Sequence, residues 1–208
     1  MTTSVVCISR TLAAGGEEVG RIVAQSLGFQ YADEEILDQT AERAGVSREA
    51  VAKAERPPGL VARIVEGLAI TSVVPTESGA WSGMPLSVSP APAGYDELIQ
   101  DVIRERAQQG SVVIVAHGGS ACLRNTPNVL RVLVTAPAAA RADRLSRSRG
   151  ITPAEAKKAV DASDRQRKQY LDRFYHVEEQ PTDYDLVVNT DVIGIERSAE
   201  IVVRAAAH

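Results

Sequence analysis

The chain has 208 residues, of which 44% are hydrophobic and 24% charged, a composition typical of one soluble domain with its own core. Its two cysteines, Cys7 and Cys122, lie in apolar segments and indicate buried free thiols; two are too few for a disulfide framework or a cysteine-rich metal site. The sequence shows neither a run of about 18 apolar residues nor a basic and apolar leader, so we expect a cytoplasmic protein without a membrane span.

The net charge of −4 is unevenly distributed along the chain. Residues 141–173 contain seven arginines and three lysines against five acidic residues, a local balance of +5, so the remainder sums to −9. A basic segment on an acidic protein is typical of local binding of a small anion. Because aromatic residues do not alternate with the basic ones, as they do where single-stranded nucleic acid binds, we expect no nucleic-acid partner.

Short apolar runs alternate with amphipathic stretches. The runs predict strands at residues 5–8, 29–31, 111–116, 129–134 and 186–188. The stretches predict helices at residues 18–27, 34–44, 50–55 (capped by Ser47), 60–70, 97–108, 138–149 and 195–207, and one starting at Thr152-Pro153-Ala154-Glu155. Residues 71–94, which include Trp81 and four prolines, predict a long loop. Strands that are apolar on both faces and alternate with helices predict an α/β fold with a parallel sheet.

The first strand leads through a glycine-bearing turn into a helix, which is the arrangement of a phosphate-binding loop. Backbone N–H groups at a helix N-terminus bind an anion without any side chain. The full pattern G-x-x-x-x-G-K-[ST] adds a lysine and a hydroxyl, but this chain has Gly16 and Glu17 at those positions. The predicted phosphate-binding residues are Thr11, Leu12, Ala13, Ala14, Gly15, Gly16, Glu17 and Glu18. An ordinary strand–helix connection is the alternative.

Arginines could replace the missing lysine. Arg10 ends the first strand and could offer a bidentate guanidinium group to phosphate. Arginines spaced by three from residue 141 onward would share one helix face. A movable arginine segment is a common source of the positioning and charge neutralisation that phosphoryl transfer needs, although a solvated basic helix is the alternative. The predicted catalytic residues are Arg10, Arg147, Arg165 and Arg167. Glu17 and Glu18 would repel a polyphosphate unless Mg²⁺ bridges one of them to it, which makes both candidate metal ligands.

Further polar residues follow two strands, where open parallel sheets bind ligands. His117 would bind an acceptor phosphate or serve as a structural hydrogen-bonding group. Asp33 would contact a sugar or base, or only begin a helix. The predicted acceptor-binding residues are Asp33, His117, Gly118 and Arg124.

Five segments, taken in order, form a specific pattern: Ile8-Ser9-Arg10 with Gly15-Gly16-Glu17-Glu18, then residues 27–33, 113–118, 124–130 and 184–190. In this order they resemble the cytidylate kinase-like proteins, a branch of the nucleoside monophosphate kinases within the phosphate-loop (P-loop) NTPases. The resemblance implies a three-layer P-loop NTPase sandwich in a single domain, residues 1–208, with a five-stranded parallel sheet. It also implies an acceptor-binding insertion at about residues 33–94 and an arginine-rich lid at about residues 147–173.

The resemblance implies a kinase that uses ATP with Mg²⁺ and phosphorylates a nucleoside monophosphate, with CMP, dCMP or a related small acceptor expected; a homodimer is compatible with it. Two departures concern anion binding. The family has Gly-Gly-Arg-Glu where this chain has Gly15-Gly16-Glu17-Glu18, and Gly-Arg-Gly where it has Ala116-His117-Gly118. A non-catalytic nucleotide- or anion-binding protein that retains the kinase fold is therefore the alternative function.

Overall fold

The computed structural model describes residues 3–55 and 95–207. Within these ranges one sheet is formed by β1 (Val5–Arg10), β2 (Gln30–Ala32), β3 (Val112–Val115), β4 (Val129–Thr135) and β5 (Leu186–Asn189). The spatial order is β2-β3-β1-β4-β5, and every neighbouring pair is parallel. The predicted five-stranded parallel sheet is confirmed. Strand β1 extends two residues beyond its predicted end because Ser9 and Arg10 continue the pairing with β4.

The described helices are α1 (Gly16–Leu27), α2 (Glu34–Ala44), α3 (Arg48–Glu55), α4 (Tyr95–Gln109), α5 (Gly119–Cys122), α6 (Ala138–Arg149), α7 (Pro153–Tyr175), α8 (Thr190–Ile193) and α9 (Ile195–Ala206). Both predicted caps are present: Ser47 Oγ accepts from the N–H of Ala50 at 3.3 Å, and Thr152 forms a capping box with Glu155. The predicted helix at residues 60–70 and the loop at residues 71–94 lie outside the described residues. None of the described helices has the length and apolarity that crossing a membrane requires.

Helices cover both faces of the sheet and so form three layers. Alternate residues of β1 point to opposite faces, so that Val6 and Ile8 pack with α1 and α9, whereas Val5 and Cys7 pack with α2, α3 and α4. Cys7 is fully buried and is a free thiol, as predicted, and its burial raises the pKa of the thiol far above the usual range.

A third, smaller core joins α6 and α7, and we call these two helices the α6–α7 hairpin. Ala142 and Leu145 of α6 pack on Ala156, Ala159 and Val160 of α7. Leu12 and Ala13, from the connection between β1 and α1, also pack on this cluster. The hairpin therefore lies against the turn that was predicted to bind phosphate.

Candidate functional site

The connection between β1 and α1 is a tight loop shaped by two glycines. Gly15 has φ of 81°, in the left-handed region that favours glycine, and is the N-cap of α1. A Cβ atom on Gly16 would lie 2.5 Å from Cβ of Arg10, so any other residue at position 16 would displace Arg10 or the loop. We call residues 11–18 the glycine loop.

Four carbonyl groups of the glycine loop accept hydrogen bonds, two of them from residues distant in sequence. The carbonyl oxygens of Thr11, Leu12, Ala14 and Gly15 accept hydrogen bonds from Ala14 N–H, Arg141 Nη1, Thr190 Oγ1 and Val19 N–H at 3.1, 3.5, 2.8 and 3.0 Å, respectively. The N–H groups of Gly16, Glu17 and Glu18 precede the first intrahelical bond of α1, and in the described part of the chain they have no backbone partner. Such a helix N-terminus attracts anions.

Arg10 and Glu17 form an ion pair beside these N–H groups. Arg10 Nε is 2.8 Å from Glu17 Oε1, although the N–H bond does not point at that oxygen, so the pair is mainly electrostatic. The Arg10 side chain is 16% exposed and the Glu17 side chain 39%. Glu18 is exposed. The structure thus places Arg10, the predicted replacement for the lysine, in contact with Glu17, a candidate metal ligand.

The predicted row of guanidinium groups on α6 is dispersed among separate partners. Arg141 is buried and donates two hydrogen bonds to the carboxylate of Asp164 on α7. Arg144 donates to Thr190, and Arg147 pairs at the surface with Asp143. The row predicted from spacing is therefore not a single anion-binding surface in this structure.

Arg167 of α7 lies close to the glycine loop. Its Nη1 donates to the carbonyl of Arg10 at 3.1 Å, and its other nitrogens bind Glu179 and Tyr184. Burial alone would lower the pKa of Arg167, but the hydrogen bond and charge of Glu179 outweigh it and raise the pKa. Arg165, by contrast, is exposed. Of the three lid arginines predicted to be catalytic, Arg147, Arg165 and Arg167, it is Arg167 that contacts the strand before the loop.

A buried polar cluster lies at the ends of β2 and β3, and we call it the His117 cluster. His117, 3% exposed, donates from Nδ1 to Glu55 Oε1 at 2.7 Å. Its Nε2 is 2.9 Å from the carbonyl oxygen of Asp33 and 3.2 Å from Asp33 Oδ1. The remaining members donate from hydroxyl groups: Tyr31 to Asp33, Tyr170 to Glu55 and Tyr175 to the His117 carbonyl. The structure therefore brings the predicted residues Asp33 and His117 together.

The two carboxylates determine the charge of the imidazole. Burial alone would lower the pKa of His117, but the charge of Glu55 and the hydrogen bonds with Asp33 and Glu55 raise it to about 9. For Asp33, burial raises the pKa, but the hydrogen bond and charge of His117 outweigh burial and the pKa is lowered. His117 is thus a cation at neutral pH, and Asp33 is an anion.

The other two predicted acceptor-binding residues differ in their surroundings. Gly118 has φ of 67° and lies under the ring of Tyr175, where an added Cβ would be 2.2 Å from a ring carbon. Arg124 is exposed and lines a cavity of about 320 Å³ whose lining, in the described part of the chain, includes neither Asp33 nor His117.

Sequence reasoning missed Glu55, Tyr170 and Tyr175. Glu55 carries a signal that could have found it, because it lies on the same face of α3 as the buried residues Val51 and Ala54, where a carboxylate needs a partner. Tyr170 and Tyr175 carry no comparable local signal, since their partners are distant in sequence.

Comparison with known proteins adds to these observations. The sequence profile described as the cytidylate kinase-like family matches residues 5–192. No curated protein sequence matches the chain. One similar solved structure is that of an uncharacterized protein from Eubacterium ventriosum ATCC 27560, with a TM-score of 0.67 and 14% identity over 97% of both chains.

Two kinase structures are also similar. Shikimate kinase from Bacteroides thetaiotaomicron has a TM-score of 0.51 at 16% identity, covering 97% of this chain and 96% of that one. A gluconokinase from Sinorhizobium meliloti 1021 has a TM-score of 0.50 at 12% identity, covering 99% and 90%. At these identities the similarity establishes the fold, that of the P-loop kinases. Because the family profile spans nearly the whole chain and the sheet has the expected architecture, the chain belongs to the cytidylate kinase-like family, with a P-loop that lacks its lysine.

Proposed function

We propose that this protein is a nucleotide kinase that transfers the γ-phosphoryl group of ATP to a nucleoside monophosphate, with CMP, dCMP or a related small acceptor as substrate. The observation that carries the proposal is the glycine loop. Four of its carbonyl groups accept hydrogen bonds from the protein, whereas the N–H groups at the start of α1 lie next to Arg10 and are available to an anion. Family membership supports phosphoryl transfer as the reaction. A cytoplasmic location is part of the proposal.

Backbone N–H groups and one arginine side chain would together bind the phosphates. The N–H groups of Gly16, Glu17 and Glu18 bind phosphate oxygens, and the guanidinium group of Arg10 neutralises their charge once it separates from Glu17. Arg147, Arg165 and Arg167 are the further cations that the lid could bring to the phosphates; Arg167 would first have to leave Glu179.

The residues present fit a magnesium ion bound with the nucleotide. Among the described residues no group of three histidine, cysteine or acidic side chains could hold a metal alone. Mg²⁺ is usually bound by one or two carboxylates together with substrate phosphates, and Glu17 or Glu18 would supply such a carboxylate. When bound, the ion neutralises phosphate charge and holds the phosphates for transfer.

The acceptor would lie at the ends of β2 and β3. Asp33 presents an ionised, partly exposed carboxylate there. Gly118, beneath the ring of Tyr175, remains a proposed acceptor contact. Because both ring nitrogens of His117 already bind protein oxygens, we assign acceptor contact to Asp33 and a supporting role to His117. Arg124, which lies in the turn just after helix α5, remains a proposed acceptor contact.

A second function is favoured by one observation. Glu17 neutralises the cation nearest the loop, and the loop has no lysine, so a nucleotide- or anion-binding protein without catalysis would show the same geometry.

The test is an ADP-release assay with Mg²⁺ and ATP across CMP, dCMP, UMP, AMP and GMP, with a reaction lacking acceptor to measure ATP hydrolysis. ADP formation that depends on one of the monophosphates supports the kinase. ATP binding in calorimetry without ADP formation supports the binding protein instead. Absence of both ATP binding and ADP formation contradicts both proposals.

A further inference from the structure

The His117 cluster contains two carboxylates, those of Asp33 and Glu55, and the proposed function assigns a role to Asp33 alone. Glu55 is 5% exposed and lies at the end of α3, on the face that buries Val51 and Ala54. Burying a carboxylate costs several kcal/mol unless it is paired, and an apolar side chain would suit this face of the helix. The position of Glu55 is therefore explained by what it contacts and not by packing.

The hydrogen bonds of His117 require a charged ring. Glu55 Oε1, 2.7 Å from Nδ1, can only accept a hydrogen bond when the carboxylate is ionised. The carbonyl oxygen of Asp33, 2.9 Å from Nε2, can only accept as well. A neutral imidazole has a single N–H and could satisfy one of the two; both are satisfied when both nitrogens carry a proton. The carboxylate of Glu55 thus stabilises the imidazolium form and fixes the plane of the ring.

The charged ring in turn orients Asp33. Oδ1 of Asp33 is 3.2 Å from His117 Nε2, and Oδ2 accepts a hydrogen bond from Tyr31 at 3.1 Å. With both oxygens bonded, the carboxylate has a fixed orientation at the end of β2, yet its side chain is 16% exposed. The positive charge of Arg10 contributes to the lowered pKa of Asp33, which places the carboxylate within electrostatic reach of the glycine loop.

We infer that Glu55 is a positioning residue that acts through His117 to hold Asp33 in place to accept a hydrogen bond from a hydroxyl or amino group of the acceptor. The inference rests on the proposed function and specifies its acceptor site. An ionised carboxylate with two of its lone pairs in use can still accept from a donor group. It would repel a phosphate, so the sugar or base of the acceptor, and not its phosphate, faces Asp33.

The test compares Glu55→Gln with Glu105→Gln in the full chain. Glutamine keeps the shape of residue 55 but removes the charge that favours the imidazolium. Glu105→Gln is the matched control, because Glu105 pairs with Arg43 at the surface of α4 and has no contact with the His117 cluster. We expect Glu55→Gln to raise KM for CMP about tenfold or more, with KM for ATP changed less than twofold, because hydrogen bonds to charged groups contribute about 1.5–3 kcal/mol. We expect Glu105→Gln to leave both constants unchanged.

A second measurement does not depend on activity or on the folding of a variant. The ring ¹⁵N resonances of His117 in the wild-type protein at pH 7 should show both nitrogens protonated, and a neutral ring would overturn the inference. Equal changes in both KM values, or no change in either, would also overturn it while leaving the kinase proposal intact. Failure of the wild type to form ADP with every monophosphate would instead overturn the proposed function and, with it, this inference.

Discussion

Arg10 and Glu17 face each other across the glycine loop, with Arg10 Nε 2.8 Å from Glu17 Oε1. The cation that would neutralise a bound phosphate is thus neutralised by a carboxylate of the loop itself. A nucleotide that binds there must compete with Glu17 for Arg10, and a divalent cation that binds Glu17 would favour the exchange.

Arg10→Ala should lower kcat about 10²–10³-fold, because removing one preorganised charge contact in the transition state typically costs about 3–4 kcal/mol. The measurement is monophosphate-dependent ADP release at saturating ATP. Arg43→Ala, which removes a cation of similar type from the surface pair with Glu105, is the control and should retain wild-type activity. Retention of more than a tenth of wild-type kcat by Arg10→Ala would mean that another group neutralises the phosphates.

Glu17→Gln should tighten the binding of ATP in EDTA and should raise the Mg²⁺ concentration needed for half-maximal activity. The amide no longer neutralises Arg10, but it is also a poorer ligand for Mg²⁺. Calorimetry without metal and Mg²⁺ titration of ADP release measure the two effects separately. If metal-free affinity does not change, Glu17 does not compete with phosphate for Arg10.

Gly118→Ala should destabilise the protein by about 2–4 kcal/mol. Part of the cost is the left-handed backbone, about 1 kcal/mol for a residue with a Cβ atom, and the rest is overlap with the ring of Tyr175. Gly28→Ala is the matched control, since Gly28 has a similar φ of 68° but no atom within 4 Å of the added Cβ. Urea unfolding of both variants should therefore differ by more than 1 kcal/mol, and equal losses would contradict the close packing of Tyr175.

The His117 cluster should make stability depend on pH in the alkaline range. The folded pKa of about 9 lies above the ordinary value of 6.5, so the stabilisation is complete below about pH 6.5 and is lost as pH rises through about 9. The difference corresponds to at most about 3 kcal/mol. The urea midpoint of the wild type should fall between pH 6.5 and pH 9.5.

Two variants test whether His117 causes the decrease in the urea midpoint between pH 6.5 and pH 9.5. His117→Gln should be less stable at pH 6 and should show a flatter pH profile. His176→Asn, which changes an exposed histidine, should keep the wild-type profile. A wild-type profile that stays flat up to pH 9.5 would mean that His117 is not charged in the folded protein.

Arg167→Ala should destabilise the protein by about 2–4 kcal/mol, because it leaves Glu179 partly buried without its cation and removes the bond to the Arg10 carbonyl. Arg147→Ala is the control for stability, since its pair with Asp143 is exposed and such pairs contribute about 0–1 kcal/mol. Thermal unfolding of the two variants measures the difference. If Arg167→Ala unfolds like the wild type, Arg167 does not anchor α7 to β1.

Local patterns in the sequence were sufficient to predict most of the fold. Helix α6 has the predicted bounds, and Thr152 and Glu155 form the predicted capping box, because these features depend on residues within one or two turns. The predicted strand ends were less accurate. β1 runs to Arg10 because pairing with β4, which lies more than a hundred residues later, decides where it ends.

Local sequence patterns predicted less of the candidate site than of the fold. The strand, glycine turn and helix of the loop are adjacent in sequence, so their arrangement could be predicted. The partners of His117 could not, because Glu55 and Tyr175 are 62 and 58 residues away, and Tyr170 is 115 residues from Glu55. Such contacts depend on how β2, α3 and α7 meet in three dimensions, which no local periodicity encodes. Glu17 belongs to the predicted loop and Arg10 precedes it, but the formation of their ion pair depends on the fold of the loop around Gly16.

The shape of the glycine loop depends on residues near the other end of the chain. Thr190 Oγ1 donates to the Ala14 carbonyl at 2.8 Å over a separation of 176 residues, and the side chain of Ile195 packs against Gly15. A ribosome makes the loop well before it makes Thr190 and Ile195, which hold the loop in shape. A nascent chain that has not yet released residue 195 from the exit tunnel therefore lacks a completed loop. The loop reaches its observed shape only after residues 190–195 have folded against it, which separates its completion from the early steps of its own synthesis.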